Sequence, residues 1–506
     1  MSHALYALFQ SRCPADRNKT LLEADDGHRV TYAEADAEAA RLARLLTDRG
    51  VRKGDRVAVQ VDKSARALCL YLACLRAGFV FVPMNTAYTA DEVAFLVDNA
   101  EPAAVICRPA DESVVQGIAA RAGDPMVLTL GADGAGSLAD AAAAVPADAP
   151  VVDCDPDDLA AMLYTSGTTG KPKGAMLTHR NLAANGQDLV DSWRFTADDV
   201  LLHALPIFHA HGLFVAFHCV LLAGASMIWL PGFHRETVVR LLPRATVFMG
   251  VPTFYTRLLA GEDFDRDACR SMRLFTAGSA PLLAETHMAF QDRTGHAILE
   301  RYGMTETGML TGNPYDGERR PGSVGVPFPQ VEVRVCGEGD RPLGTREVGG
   351  VQVRGPNVMK GYWRLPEKTA EDFTADGWFR TGDIGRIGDD GYLSIVGRAK
   401  DLVISGGYNV YPKEVEGVID DRPEVLESAV IGVPHPDFGE GVVAVVVPAD
   451  PAAPPSEDAI VTHCRQHLAN YKTPKRVFVV PELPRNTMGK VQKAQLRETH
   501  ADLFRA

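Results

Sequence analysis

Residues Tyr164 to Gly174 read Tyr-Thr-Ser-Gly-Thr-Thr-Gly-Lys-Pro-Lys-Gly and stand between two apolar runs, Leu159 to Leu163 and Ala175 to Leu177. Short apolar runs flanking a glycine-rich stretch predict a tight loop joining two strands. Gly167, Gly170 and Gly174 let the backbone approach a ligand closely and aim successive N–H groups at one point. Thr165 opens the loop, Ser166, Thr168 and Thr169 add hydroxyl donors, and Lys171 and Lys173 add ammonium groups. Donors converging in this way suit a polyphosphate, whereas a flexible surface turn has no use for them. The Walker loop, G-x-x-x-x-G-K-[ST] opening a helix, does not fit: Gly167 and Gly170 are too close together and Lys171 is followed by Pro172. A P-loop kinase or GTPase is therefore excluded.

A chain of 506 residues is too long for one core, so at least two domains are expected. The net charge of -13 argues against a nucleic-acid binder, which needs a broad basic face, so anions must be met by local clusters. One such cluster lies between Lys472 and Arg505, with eight Lys or Arg against three acids. The N-terminus lacks a basic stretch followed by a sustained apolar core, so no signal peptide is expected. Nine scattered cysteines without a C-x-x-C pair suit a reduced, cytoplasmic protein. The longest apolar stretch, Leu213 to Leu230, is divided by Gly224 and predicts a buried helix and a buried strand, with no membrane span.

Arg56 to Val61 reads as a strand, Ser64 as a helix N-cap, Leu68, Leu72 and Leu75 as one helix face, and Gly78 to Pro83 as a returning strand. This βαβ unit implies a parallel sheet covered by helices. From Val331 onward, short alternating strands predict a β-rich subdomain. The expected fold is α/β. A large N-terminal domain (1–399) has parallel-rich sheets with helices plus the β-rich subdomain, and a small mobile C-terminal α/β domain (400–506) begins within Gly397-Arg-Ala-Lys-Asp401.

Four further strings carry chemistry. In Tyr302-Gly-Met-Thr-Glu-Thr307, which follows a strand-like run ending at Leu299, a carboxylate on a tight turn can ligate Mg²⁺ held by phosphates. In Trp378-Phe-Arg-Thr-Gly-Asp383, an ionised carboxylate can accept from both ribose hydroxyls. Ser405-Gly-Gly-Tyr-Asn-Val-Tyr-Pro412 is a second glycine loop, and Pro484-Arg-Asn-Thr-Met-Gly-Lys490 ends on a lysine. Such a lysine can be delivered to a phosphate as charge develops and then withdrawn, a donor worth about 3 to 4 kcal/mol in the transition state.

In their order from Tyr164 to Lys490 these strings resemble the signature motifs of the adenylate-forming superfamily of acyl-CoA synthetases, adenylation domains and luciferases. The resemblance implies ATP, Mg²⁺ and coenzyme A as ligands. It makes Glu306 the Mg²⁺ ligand and Thr305 a phosphate contact. Ser279 and Ala280, with Tyr302 and Gly303, flank adenine, and Asp383 and Arg398 hold the ribose. Lys400 becomes the hinge of the small domain, Gly406 and Gly407 line the pantetheine tunnel, and Lys490 is the adenylation lysine. Lys490 is then also a candidate substrate of a lysine acetyltransferase, which would remove its charge.

Ala204-Leu-Pro-Ile-Phe-His-Ala-His-Gly212, Met249 to Arg257, Gly317 to Gly325 and Asn486 to Lys493 resemble, within that superfamily, the malonate–CoA ligases. The implied reaction joins malonate, or methylmalonate, to coenzyme A through an acyl-adenylate. The second carboxylate of malonate would cost several kcal/mol if buried unpaired, so a cation must meet it. Arg257 is the first choice, because its segment lines the acyl pocket in relatives, and Arg319 and Arg320 are the second. His211 and Met304 line the same cavity, and His209 either gates it or contacts the adenylate. A ligase for another carboxylate leaves Arg257 without a purpose. An adenylating enzyme that loads a carrier protein and a nucleotide-binding regulator without turnover are the other readings.

Overall fold

The computed structural model describes residues 5–166, 172–406, 408–486 and 489–504. The chain divides into two compact units, Met1–Glu332 with Val353–Phe379, and Val333–Gln352 with Arg380–Ala506.

In the first unit the expected βαβ step is present as strand Arg56–Gln60, helix Ala65–Ala77 and strand Val80–Pro83, the two strands parallel. Ser64 caps the helix by accepting the Ala67 N–H, and Gly78 ends it in the left-handed region at φ 71°. The strands belong to a seven-stranded sheet in the order Gly361–Tyr362, Pro172–Thr178, Leu159–Ser166, Val80–Pro83, Arg56–Gln60, Ala104–Cys107, Met126–Thr129. Its parallel centre is buried along nearly its whole length, as expected of a sheet covered on both faces. The strands Leu159–Ser166 and Pro172–Thr178 form the antiparallel pair around the glycine loop, in a register that sets Thr165 opposite Lys173.

A second, nine-stranded sheet has a parallel run of Ser226–Trp229, Val200–His203, Val247–Gly250, Leu274–Ala277 and Leu299–Met304. At the C-terminal ends of three strands in this run the chain leaves into Ala204 to Gly212, into Gly278 to Pro281 and into Thr305 to Thr307. In open α/β sheets ligands bind beyond these ends, so the topology gathers three of the sequence motifs at one edge. The motif strand begins at Leu299 rather than ending there, and Glu306 sits on the hairpin turn to Gly308–Gly312.

The stretch Leu213 to Leu230 resolves as expected into helix, glycine and strand. Its first part is a π-helix, His211–Phe217, followed by the α-helix His218–Ala223, Gly224 at φ 66° and the strand Ser226–Trp229. Among the described residues no helix is long and apolar enough to cross a membrane.

The second unit holds a four-stranded sheet in the order Glu332–Cys336, Gly349–Arg354, Phe379–Ile387, Leu393–Arg398. It also holds a five-stranded sheet built on the long antiparallel pair Val425–His435 and Gly439–Pro448. Helices Pro412–Asp420 and Glu457–His467 cover that pair through Val415, Ile419, Ile460 and Cys464, all buried. Gly397 to Asp401 lies inside this unit, where strand Leu393–Arg398 passes into the single turn Ala399–Asp401.

Candidate active site

Glu306 is buried, with only 6% of its surface exposed. Its carboxylate accepts the Thr165 hydroxyl at 3.1 Å and the Tyr362 hydroxyl at 3.3 Å, and its backbone carbonyl accepts the Met359 N–H at 2.8 Å. Burial, then the charges of Glu306 and Asp372, push the Tyr362 hydroxyl well above its ordinary range, so it stays protonated and donates. Lys173 lies with its ammonium 4.2 Å from the centre of the Tyr362 ring and 3.9 Å from Asp372. Burial lowers the Lys173 pKa while Asp372 and Glu306 pull it back up. Of the two residues that flank the glycine loop, Thr165 therefore meets the carboxylate of the second motif, 141 residues further along the chain, and Lys173 stands against Tyr362, which donates to that same carboxylate. Nothing is described of Gly167, Thr168, Thr169, Gly170 and Lys171, or of the Ser166 side chain.

The turn carrying Glu306 is held from outside its own strands. Asn357 donates to the Thr307 carbonyl at 2.7 Å, and Asn185 brackets Met309, accepting its N–H at 3.0 Å and donating to its carbonyl at 2.9 Å. Gly308 has φ 61°, and a Cβ there would lie 2.5 Å from Asn185 Oδ1. Gly303 faces a similar limit, since a Cβ would stand 2.2 Å from the Gly308 carbonyl oxygen. Thr305 lines a small cavity with Leu177, Asn185, Phe214 and Asn357. Tyr302, Met304 and Ala280 are half-buried at the same strand ends.

Beside this turn, Ser279 holds a left-handed backbone at φ 72°, and its hydroxyl lies 3.3 Å from His211 Nδ1. His211 opens the π-helix and is buried, and its Nε2 has no partner among the described residues. Burial first, then Arg301, His209 and His203, push its pKa well down, so the ring is neutral. His209 Nδ1 accepts the His211 N–H at 3.3 Å. The ring of His203, buried one strand away, meets the Gly212 carbonyl through Nε2 and Lys63 Nζ through Nδ1, both at 2.9 Å.

The three arginines picked from the sequence do not supply a waiting cation. In helix Pro252–Leu259 the inward face is set by Tyr255 and Leu258, and Arg257, two residues past Tyr255, is turned outward and exposed. Arg319 spends its guanidinium on the carbonyls of Ala297 and Tyr315, and Arg320 pairs with Glu318. The buried guanidinium is that of Arg301, which sequence reasoning passed over. It is 4% exposed, and its Nε and Nη2 have no partner among the described residues. Gly278 packs so closely on it that a Cβ would sit 2.1 Å from Arg301 Nη1. Burial lowers its pKa to about 10, with Tyr255 opposing the shift, so the charge persists at neutral pH. An arginine on the Leu299–Met304 strand, immediately before the Tyr302 motif, was the signal available in the sequence.

In the second unit Asp383 and Arg398 stand opposite each other on adjacent strands, 2.6 Å apart, with Asp383 buried and Arg398 more open. Thr381 Oγ1 accepts the Asp383 N–H at 3.1 Å. Lys400 lies on the turn Ala399–Asp401, whose Asp401 pairs with Arg497. Gly406 has φ 59° and donates its N–H to the Phe438 carbonyl at 2.9 Å, and Gly407 lies outside the described residues. Around Gly406 the surface is apolar: Ile404, Tyr408 and Phe438 are exposed, and Tyr408 stacks on Tyr471. Lys490 is exposed on a hairpin turn.

Comparisons with known proteins give this arrangement a context. The profile of the AMP-binding enzyme family matches residues 9–363, and that of the AMP-binding enzyme C-terminal domain matches residues 414–490. The ATP-bound crystal structure of MatB from Rhodopseudomonas palustris is 53% identical over 100% of both chains, with a TM-score of 0.98. A feruloyl-CoA synthase of Amycolatopsis is 39% identical over 93% of this chain and 94% of its own. A malonate–CoA ligase of Arabidopsis thaliana is 34% identical over 94% of this chain and 85% of its own.

Proposed function

The chain belongs to the AMP-binding enzymes of the adenylate-forming superfamily, and on that premise we propose that it is an AMP-forming ligase that joins malonate, or methylmalonate, to coenzyme A. In the first step a carboxylate oxygen attacks the α-phosphorus of ATP, the bond to the β-phosphate oxygen breaks, and pyrophosphate leaves. In the second the CoA sulfur, having lost its proton, attacks the acyl carbon, and AMP leaves with the C–O bonding pair. Activation resides in the mixed anhydride, so no nucleophilic side chain is needed.

The residues take roles by chemistry. Thr165, Lys173 and the loop between them cradle the phosphates, with Thr305 beside them. Ser279 and Ala280, with Tyr302 and Gly303, flank adenine, and Asp383 with Arg398 holds the ribose. A divalent Mg²⁺ fits an oxygen donor set such as the Glu306 carboxylate, which already sits beside the Thr165 hydroxyl. Bound there, the ion would neutralise phosphate charge. Lys490 brings its ammonium to the α-phosphate in the first step, Lys400 is the hinge at which the 400–506 domain reorients, and Gly406 and Gly407 admit the pantetheine arm in the second. Lys490 is also the lysine whose acetylation would switch the first step off.

The observation that carries the dicarboxylate reading is Arg301: a buried, charged guanidinium packed against Gly278 and acting on His211, with two nitrogens that have no partner among the described residues. His209, His211 and Met304 complete the acyl side. A ligase for an uncharged acyl tail, such as the feruloyl-CoA synthase relative, would leave this cation unpaired at a cost of several kcal/mol. The test is pyrophosphate release over a panel of mono- and dicarboxylates, with and without coenzyme A. Malonate is expected to turn over with coenzyme A and monocarboxylates poorly. In Arg301→Ala the distal carboxylate loses its partner, and kcat/KM for malonate is expected to fall by about two to three decades, from roughly 3 to 5 kcal/mol, while butyrate is spared. Equal losses for the two acids would remove Arg301 from specificity, and a wild-type preference for butyrate would sink the malonate reading.

A further inference from the structure

The turn that carries Lys490 is closed by its own backbone. Asn486 and Lys490 exchange two bonds: the Asn486 N–H donates to the Lys490 carbonyl, and the Lys490 N–H donates to Asn486 Oδ1, both at 2.9 Å. Gly489, at φ 74°, donates to the Asn486 carbonyl at 2.9 Å, and Gln492 donates to the Pro484 carbonyl at 2.7 Å. These bonds fix the shape of the turn. Two cations at its ends attach it to neighbouring elements. Arg485 donates from Nη1 to the Gly489 carbonyl at 2.5 Å and from Nη2 to the Glu427 carboxylate on strand Val425–His435. Lys493 reaches Glu416 on helix Pro412–Asp420 at 2.5 Å, and Glu416 in turn accepts the Val430 N–H at 2.9 Å.

We propose that Arg485 is a positioning residue for Lys490: its guanidinium bridges the carbonyl of the peptide preceding Lys490 to Glu427, and so sets where the Lys490 ammonium can be presented. The fork geometry makes arginine the fitting residue, because only a planar guanidinium offers two donors in fixed directions to two acceptors at once. A lysine at 485 carries its donors on one nitrogen without the fixed fork, so it holds the two acceptors less rigidly. Burial raises the Glu427 pKa, and the charge of Arg485 opposes the rise. The Lys493–Glu416 pair anchors the outgoing arm to the same layer, so the turn is suspended between two ion pairs that meet adjacent elements. An arrangement of this kind holds a presented ammonium to a small volume, and a misplacement of about 1 Å in such a group lowers a rate roughly a hundredfold.

This inference rests on the reading of Lys490 as the adenylation lysine, and the test separates the two. Pyrophosphate release with ATP and malonate, and thioester formation from supplied malonyl-adenylate with coenzyme A, are measured for wild type, Lys490→Ala, Arg485→Met, Arg485→Lys and Glu427→Gln. Arg485→Met is expected to slow the first reaction by roughly a hundredfold and to change the second by less than about threefold, with Arg485→Lys in between. Glu427→Gln, which keeps the shape and loses the charge, is expected to slow only the first reaction, by about tenfold. It carries the test if Arg485→Met does not fold. A role confined to stability would lower both reactions together and would not be rescued by lysine, so equal losses overturn the proposal. Loss of adenylation in Lys490→Ala but not in Arg485→Met or Glu427→Gln overturns the bridge alone. Adenylation that survives Lys490→Ala overturns the reading of Lys490 and the bridge with it.

Discussion

Glu306 and Lys490 both sit on tight hairpin turns next to a glycine with positive φ, yet the two turns are held by different kinds of contact. Around Glu306 the partners are neutral and short-reaching, Thr165, Asn185, Asn357 and Tyr362, and they come from strands and helices far apart in the chain. Around Lys490 the backbone closes on itself between Pro484 and Gln492, and Arg485 and Lys493 at its ends pair with Glu427 and with the buried Glu416. A buried amide bond is costly to leave unmade, about 1 to 3 kcal/mol per group, so the Glu306 turn has one geometry. The Lys490 turn takes its shape from its own backbone and its place from Glu427 and Glu416 of the same unit, so it can move only as part of that unit. This is what the proposed chemistry asks of each: a carboxylate preorganised where phosphate charge accumulates, and an ammonium that must arrive and leave.

The largest expected effect falls on the second turn. Lys490→Ala removes one charged donor, about 3 to 4 kcal/mol, so adenylation is expected to fall by two to three decades or more. Thioester formation from supplied malonyl-adenylate is expected to persist. Pre-steady-state pyrophosphate release and CoA-dependent AMP release report the two steps separately. Equal loss of both would mean that the turn is as fixed a part of the site as Glu306, and the contrast would collapse.

Gly308→Ala tests the other side. The new Cβ meets Asn185 Oδ1 at 2.5 Å on a backbone with φ 61°, so the Asn185 bracket on Met309 must open. Left-handed strain and the displaced hydrogen bonds together are expected to cost about 2 to 4 kcal/mol of folding stability, read by urea unfolding, along with adenylation activity. Gly489 shares the positive φ, so Gly489→Ala is expected to carry the left-handed strain alone and to cost about 1 kcal/mol. If both substitutions cost the same, backbone conformation alone explains the glycines, and the outside bracket around Glu306 contributes nothing.

The same contrast explains what could be read from the sequence. Strand and loop signals are local, so the βαβ step, the Ser64 cap, the Gly224 break and the hairpin around the glycine loop follow from spacing. The Lys490 turn is local too, and Asn486 and Gly489 are both visible in its string. The partners of Glu306 are not: Asn185 and Tyr362 belong to other segments, and no pattern near residue 306 marks them. The outward position of Arg257 escapes the sequence for a related reason. Helical phase, which the string Pro252 to Arg257 alone does not fix, turns Arg257 outward. Arg301 is a buried charge in the strand Leu299–Met304, and a buried charge in a strand is a stronger signal than a basic residue in a named motif.

The smallest effect expected is one of pH, confined to the acidic layer under the Lys490 turn. Asp420 lies on helix Pro412–Asp420, faced by Ser428, Lys413, Glu416 and Glu427, and burial pushes its pKa up to about 7, with the two glutamates adding to the rise and Lys413 opposing it. Unfolded, the group titrates near about 3.9. Between about pH 4 and pH 7 the folded chain therefore holds a proton that the unfolded chain has released, and stability from this group falls as pH rises through that window. It is fully present below pH 4 and lost above pH 7. Asp420→Asn cannot ionise, so it is expected to match wild type near pH 4 and to exceed it at pH 8 in urea unfolding, the gap opening between about pH 4 and pH 7. The pairs Arg485–Glu427 and Lys493–Glu416 remain in the variant, so adenylation at pH 8 is expected to stay within about twofold of wild type. A stability gap that does not change with pH would show that Asp420 is charged throughout. A fall in adenylation as large as that expected of Glu427→Gln would mean that the Lys490 turn depends on the whole acidic layer, and its attachment would then resemble that of Glu306 more than the two ion pairs suggest.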